Sequence, residues 1–134
     1  MTRANHGARP GPISPNEMRV RLFRTATLIW SVVMAWLAFR PVAAIETGLP
    51  WDKANHAAAF VVLTVLAGLG WPRSPGIARV AILLAAGVMI ELVQGLPQIG
   101  RDADVWDVVA DGVGIAAGLV LLAWALKRAS RLRE

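Results

Sequence analysis

Four apolar stretches run through the chain, each bounded by polar or turn-forming residues. The first is "TATLIWSVVMAWLAF", residues 25–39, which Leu22 and Phe23 extend across Arg24. The second is "ANHAAAFVVLTVLAGLGW", 54–71; the third is "GIARVAILLAAGVMIELVQGL", 76–96; the fourth runs from Val105 to Leu126. A spanning helix needs about 20 mainly apolar residues, which the third and fourth meet and the first two approach. Arg40-Pro41, Pro50, "WPRSPG" and Pro97 with Gly100 separate the stretches as turn signals. The pattern predicts an all-α membrane protein, a compact bundle of four transmembrane helices over about 22–39, 54–71, 76–96 and 105–126.

The flanks complete this division. Residues 1–17, "MTRANHGARPGPISPNE", have no apolar period and read as a disordered tail. The membrane domain covers 18–127, and 128–134 form a basic C-terminal tail. A basic leader before a 15-residue apolar run also resembles a signal peptide. This leader is long, and no clean small-residue cleavage site follows it, so the run reads as a span.

Composition agrees with a bilayer. Of the 134 residues, 56% are hydrophobic and 17% charged, and the mean hydropathy is +0.52. Soluble domains carry about 25% charged residues. The net charge of +5 does not point to nucleic acid, because the basic residues flank apolar segments instead of forming a stripe. Without cysteine there is no disulfide, thiolate nucleophile or cysteine metal site.

Basic residues orient the bundle. Eleven of the fourteen fall in the N-terminal tail, the 72–79 connection and the C-terminal tail. Only Arg40, Lys53 and Arg101 fall on the other side. Positive charge collects on the cytoplasmic side, which predicts cytoplasmic N- and C-termini. Seven of the nine acids lie at or near the outer side. Trp36, Trp51, Trp71, Trp106 and Trp124 sit near helix ends, at the level an indole prefers.

The unusual polar residues converge on that outer level. Asp52, Lys53 and His56 occupy the first turns of the second helix, and Glu91 and Gln94 share a face near the end of the third. Asp104, Asp107, Asp111, Gly114 and Gly118 form one seam down the fourth. Its two glycines are a small-xxx-small pair that lets another helix come close, from this chain or from a membrane-protein partner. Asp104 reads as a solvated cap and Asp107 as a first-turn acid favoured by the helix dipole. Asp111 lies two turns in, and Glu91 sits near a C-terminus where the dipole disfavours an anion. Both therefore need partners, and Arg101, Lys53, His56 and Gln94 are the candidates.

Three blocks resemble the VanZ-like family of bacterial membrane proteins. "DKANHAAAF" resembles its Asp-Lys-x-x-His-x-x-x-Phe, at Asp52, Lys53, His56 and Phe60. "IELVQ" resembles its Glu-x-x-Gln, at Glu91 and Gln94. "GRDADVWDVVADGVGIAAG" resembles its Gly-Arg segment followed by Asp-x-x-x-Asn-x-x-Gly-x-x-x-Gly, at Gly100, Arg101, Asp107, Gly114 and Gly118. The family usually has Asn where this chain has Asp111. The resemblance covers about residues 50–122 and implies a protein of the bacterial cytoplasmic (inner) membrane. It also implies a link to the cell envelope and to antibiotic resistance of the glycopeptide, teicoplanin type. It carries no catalytic residue over.

Three functions compete. A polar site could bind or modify an envelope component, such as a lipid headgroup or a cell-wall precursor. Arg101, Lys53 and His56 would hold a phosphate, with Glu91 or Asp107 as general base. No serine or cysteine nucleophile accompanies them. Alternatively the cluster only ties the helices of a structural or partner subunit together. A proton-coupled transporter component ranks third, because the inner half offers no matching polar residues. Whether the chain is an enzyme stays open, and no cofactor is assigned. Nor is a metal, since Glu91, Asp107, Asp111 and His56 have suitable ligand chemistry but no diagnostic spacing.

Overall fold

The structure, a computed structural model, describes residues 13–39, 51–99, 101 and 103–132, with 51 and 52 as backbone only. Four helices follow in order: α1 (Pro15–Phe39), α2 (Trp51–Gly70), α3 (Gly76–Gln94) and α4 (Val105–Arg131). The described residues contain no strand. All four helices are long and apolar enough to cross a membrane, as in a multi-pass membrane protein. At 1.5 Å per residue even α3 reaches about 28 Å, close to the ~30 Å hydrocarbon thickness.

Helix limits correct the expected ones at both ends of the chain. α1 starts at Pro15, so residues 15–17 belong to a helix and not to a disordered tail. The cause is a capping box: Glu17 N–H donates to Ser14 Oγ at 3.2 Å, and Ser14 N–H donates to Glu17 Oε2 at 3.0 Å. Pro15 fits the first helical position, where no N–H is needed. Residues 1–12 lie outside the described part. α4 runs to Arg131, well past Leu126, and takes in half of the expected basic tail. Lys127 and Arg128 are good helix formers, and Arg128 and Arg131 complement the negative end of the helix dipole. α3 stops at Gln94, two residues early, because Pro97 disfavours helical backbone at Leu96.

α2 is the central element, packed most extensively on α4 and next on α1, while α3 leans mainly on α4. Phe60, Leu63, Leu83 and Ile115 form the core, with Trp30, Met34 and Leu119 against it. The α2–α4 approach depends on glycine. A Cβ on Gly114 would lie 2.2 Å from the Ala57 carbonyl oxygen, and one on Gly118 would lie 2.7 Å from Thr64 Cβ. The Gly114/Gly118 seam is therefore filled by α2 of the same chain, not left for a partner helix. α1 is more peripheral, with only Thr27 buried. It is held by Trp30, whose Nε1–H donates to the Ala59 carbonyl at 3.1 Å, and by Arg24, whose Nε–H donates to Gly70 O at 2.8 Å. Arg24 also stacks over the Trp71 ring at 5.4 Å. Large apolar side chains point outward, Val32 (69% exposed), Ile82 (68%) and Val120 (68%) among them. Polar groups gather inside. A bundle in lipid has this arrangement, because hydrocarbon solvates leucine and valine but not carboxylates.

Candidate polar site between α2, α3 and α4

The end of the bundle where α2 and α4 begin and α3 finishes collects the acids. α4 starts there because Asp104 is its N-cap, with the side chain accepting from Trp106 N–H at 2.9 Å. Asp107 and Asp111 lie on the buried face of α4 that Gly114 and Gly118 press against α2. Asp107 is 6% exposed, Asp111 0% and Glu91 6%. Three carboxylates on two helices are thus removed from solvent within a few ångströms of one another.

Each has a defined partner. Lys53 Nζ bonds Asp107 Oδ1 at 2.9 Å and also bonds Asp104 Oδ2. His56 Nδ1 lies 3.0 Å from Asp111 Oδ1, and His56 Nε2 lies 3.9 Å from Asp107 Oδ2. Glu91 Oε2 accepts from Asp104 N–H at 2.9 Å. That bond answers the dipole problem at Glu91: the carboxylate at the end of α3 meets an N–H at the start of α4, where anions are favoured. Asp104 lies outside the spans. The Lys53 ammonium, and after it the Trp106 N–H, hold its carboxyl below the ordinary value.

Beside this cluster, a cavity of about 620 Å³ opens between α1, α2 and α3. Trp30, Met34, Phe60 and Ile90 give it apolar walls; His56, Asn55, Gln94 and Arg101 give it a polar end. Gln94, 3% exposed, donates to the Ala38 carbonyl at 3.2 Å, and Arg101 NH1 reaches the same oxygen at 3.5 Å. Both thereby tie the end of α1 to the site.

Of the residues singled out in the sequence, Lys53, His56, Glu91, Asp107 and Asp111 come together in one network. Gln94 and Arg101 line the neighbouring cavity. The Asp52 side chain, Gly100 and Asp102 lie outside the described residues. Two expected pairings differ. Lys53 engages Asp104 and Asp107, not Glu91 or Asp111, because it lies one turn above them at the mouth. Asp104 is more than a cap: it accepts from Lys53 and donates its backbone N–H to Glu91. Gly87, absent from the residues singled out in the sequence, also belongs to the site: a Cβ there would meet Asp111 Oδ2 at 2.5 Å. Its small size, four residues before Glu91 on one helical face, was the available signal.

Fold and site together define a four-helix membrane-type bundle with the buried acids of the described residues at one end. No protein-family model matches the chain, and no curated protein or solved structure matches it significantly.

Proposed function

We propose that this protein binds an anionic amphiphile, a lipid headgroup or lipid-linked cell-wall precursor, at the outer face of the bacterial cytoplasmic membrane, as a protein of the VanZ-like type. The observation that carries this reading is the cavity between α1, α2 and α3. Its apolar walls suit an acyl or isoprenoid chain, and its Arg101–Gln94–Asn55 end suits a phosphate with hydrogen-bonding substituents. The excess of Arg and Lys at the opposite end supports cytoplasmic termini and therefore an outward-facing site. The three VanZ-like blocks supply the polar residues at this end, and teicoplanin-type resistance is the envelope phenotype they suggest. Thr27 and Thr64, buried further along the bundle, bond the carbonyls of Phe23 and Phe60 within their own helices, which gives no support to a proton path.

The test is mass spectrometry of lipids retained by the protein purified in mild detergent. A phosphorylated envelope lipid should co-purify near one per chain and be depleted in Arg101→Gln. Retention of bulk membrane lipid only, unchanged in that variant, would sink the proposal.

A second reading has its own support. Lys53 bridges α2 to α4, and Gln94 and Arg101 tie α1 to the site, so the network could serve only to fix helix register. Asp107→Asn separates the two. Loss of envelope phenotype at normal folded abundance favours a binding site; loss of both together favours a structural tie.

A further inference from the structure

We infer that His56, Glu91 and Asp107 form a binding site for one divalent transition-metal ion, with Asp111 as the outer partner that orients the histidine. One ligand atom from each of the three lies within 4.8 Å of the others. Metal bonds of about 2.0–2.2 Å at tetrahedral angles put two ligand atoms on one ion about 3.3–3.6 Å apart. Closing the triad therefore takes a contraction of at most about 1.5 Å at its widest pair, shared between two side chains turning toward a common centre.

The hydrogen bonds divide each ligand's polar atoms in the way a metal site requires. Asp107 gives Oδ1 to Lys53 at 2.9 Å, and its Oδ2 faces His56 Nε2 at 3.9 Å. That is too long for a hydrogen bond and about half an ångström wider than two ligands on one tetrahedral ion. His56 commits Nδ1 to Asp111 at 3.0 Å. A buried carboxylate on the far nitrogen is the usual partner of a metal-binding imidazole, because it fixes the ring and presents Nε2 to the ion. Glu91 gives Oε2 to the Asp104 N–H at 2.9 Å. Its other oxygen, Oε1, is buried and accepts no hydrogen bond among the described residues, in a side chain only 6% exposed. A buried carboxylate oxygen with no donor is expensive unless a cation meets it. The assignment is thus Oε1 of Glu91, Oδ2 of Asp107 and Nε2 of His56.

Charge balance points the same way. Three buried carboxylates, of Glu91, Asp107 and Asp111, share this network, in which the Lys53 ammonium bonds Asp107 among the described residues. A divalent ion offsets that excess at the depth where water cannot. One imidazole with two carboxylates suits borderline Zn²⁺, or Mn²⁺, which is harder but dehydrates more readily than Mg²⁺, an ion that prefers oxygen ligands and retains its waters. Three protein ligands leave a position open toward the cavity that His56 also lines. The inference stands apart from the amphiphile reading, since an ion can bind with the cavity empty.

The experiment uses the full chain in detergent, stripped with EDTA, reloaded with Zn²⁺ or Mn²⁺ in excess Mg²⁺, desalted and measured by elemental mass spectrometry. One equivalent of Zn²⁺ or Mn²⁺ per chain is expected, with a matching rise in thermal stability. Glu91→Gln and His56→Gln should each lower affinity at least about tenfold, and Asp111→Asn should lower it about 10- to 100-fold while leaving the ligands in place. Less than a tenth of an equivalent in the wild type would overturn the inference, and that measurement does not depend on any variant folding. Full wild-type affinity in both Glu91→Gln and His56→Gln would overturn it equally. Neither failure bears on retention of an envelope lipid, which is read separately.

Discussion

Gly87 on α3 makes the space that Asp111 on α4 fills: a Cβ at Gly87 would stand 2.5 Å from Asp111 Oδ2 and 3.3 Å from its Cγ. The carboxylate cannot simply swing away, because its Oδ1 is held by His56 at 3.0 Å and the residue is fully buried. Gly87→Ala should therefore destabilise the fold. Overpacking typically costs about 1–3 kcal/mol, and the alanine's better helix propensity returns about 1, so a net loss of up to about 2 kcal/mol is expected. Gly112→Ala is the contrast, since its nearest neighbour would be Leu84 Cδ2 at 4.0 Å. It should be neutral or stabilising. Thermal unfolding of both variants in one detergent checks the pair.

The glycines of α4 make a harsher prediction. A Cβ on Gly114 meets backbone, the Ala57 carbonyl oxygen at 2.2 Å and Ala57 Cα at 3.0 Å. Backbone cannot rotate out of the way, so Gly114→Ala must push α2 and α4 apart along their whole contact. A Cβ on Gly68 would come equally close, 2.2 Å, but to Leu122 Cδ2, the tip of a flexible side chain. Folded abundance after detergent extraction should collapse in Gly114→Ala and fall only modestly in Gly68→Ala. A similar fall in both would mean that the α2–α4 contact is looser than these distances imply.

These two cases mark what was legible in the sequence. The number of helices and their order followed from the apolar runs and the prolines between them. Helical spacing placed Asp104, Asp107, Asp111, Gly114 and Gly118 on one seam. Partners were less legible. Helical period gives the face of a residue but not the rotation of a neighbouring helix, so Lys53 was a candidate for Glu91 and Asp111, and its bond to Asp107 was not foreseen. Asp104 reads as a cap from its place before Val105, yet its backbone N–H bond to Glu91 depends on how α3 and α4 are brought together. The start of α1 was written in "SPNE", whose Ser14 and Glu17 form a capping box at the polar first turn of the helix. The lack of apolar period there masked it.

Asp111→Asn should be much milder than Asp111→Ala. An asparagine can present its carbonyl oxygen to His56 Nδ1, as Asp111 Oδ1 does at 3.0 Å. Alanine leaves a buried ring nitrogen without that partner, at about 1–3 kcal/mol. Thermal stability measured after EDTA treatment isolates this term from any metal effect. Equal losses in the two variants would show that volume, not the hydrogen bond, is what the position requires.

Acid should loosen the mouth of the site. The Lys53 ammonium and the Trp106 N–H favour the ionised form of Asp104, so its folded pKa lies below its ordinary value of 3.8. A lowered carboxyl pKa contributes stability that is present above the unfolded pKa and lost as pH falls through the folded one. This contribution is therefore intact at neutral pH and disappears only below about 3.8. It is small, because both partners are well exposed. Asp104→Asn should remove that step from the stability profile between pH 5 and 2 on the order expected for one exposed pair. An unchanged profile would assign the acid sensitivity to other carboxylates.

Filling the cavity should separate ligand retention from folding. Val62 lines the cavity and is 38% exposed, so a larger side chain there has room to grow into it without entering the Phe60–Leu63 core. Val62→Trp should keep folded abundance near wild type while lowering the amount of phosphorylated envelope lipid that co-purifies. Val120→Trp places the same indole on α4 at a position 68% exposed and away from the cavity, so its lipid content should match the wild type. The difference between the two variants is the quantity to measure, because general disturbance by a tryptophan in the membrane region affects both. Equal lipid content in the two would mean that the retained lipid does not sit between α1, α2 and α3.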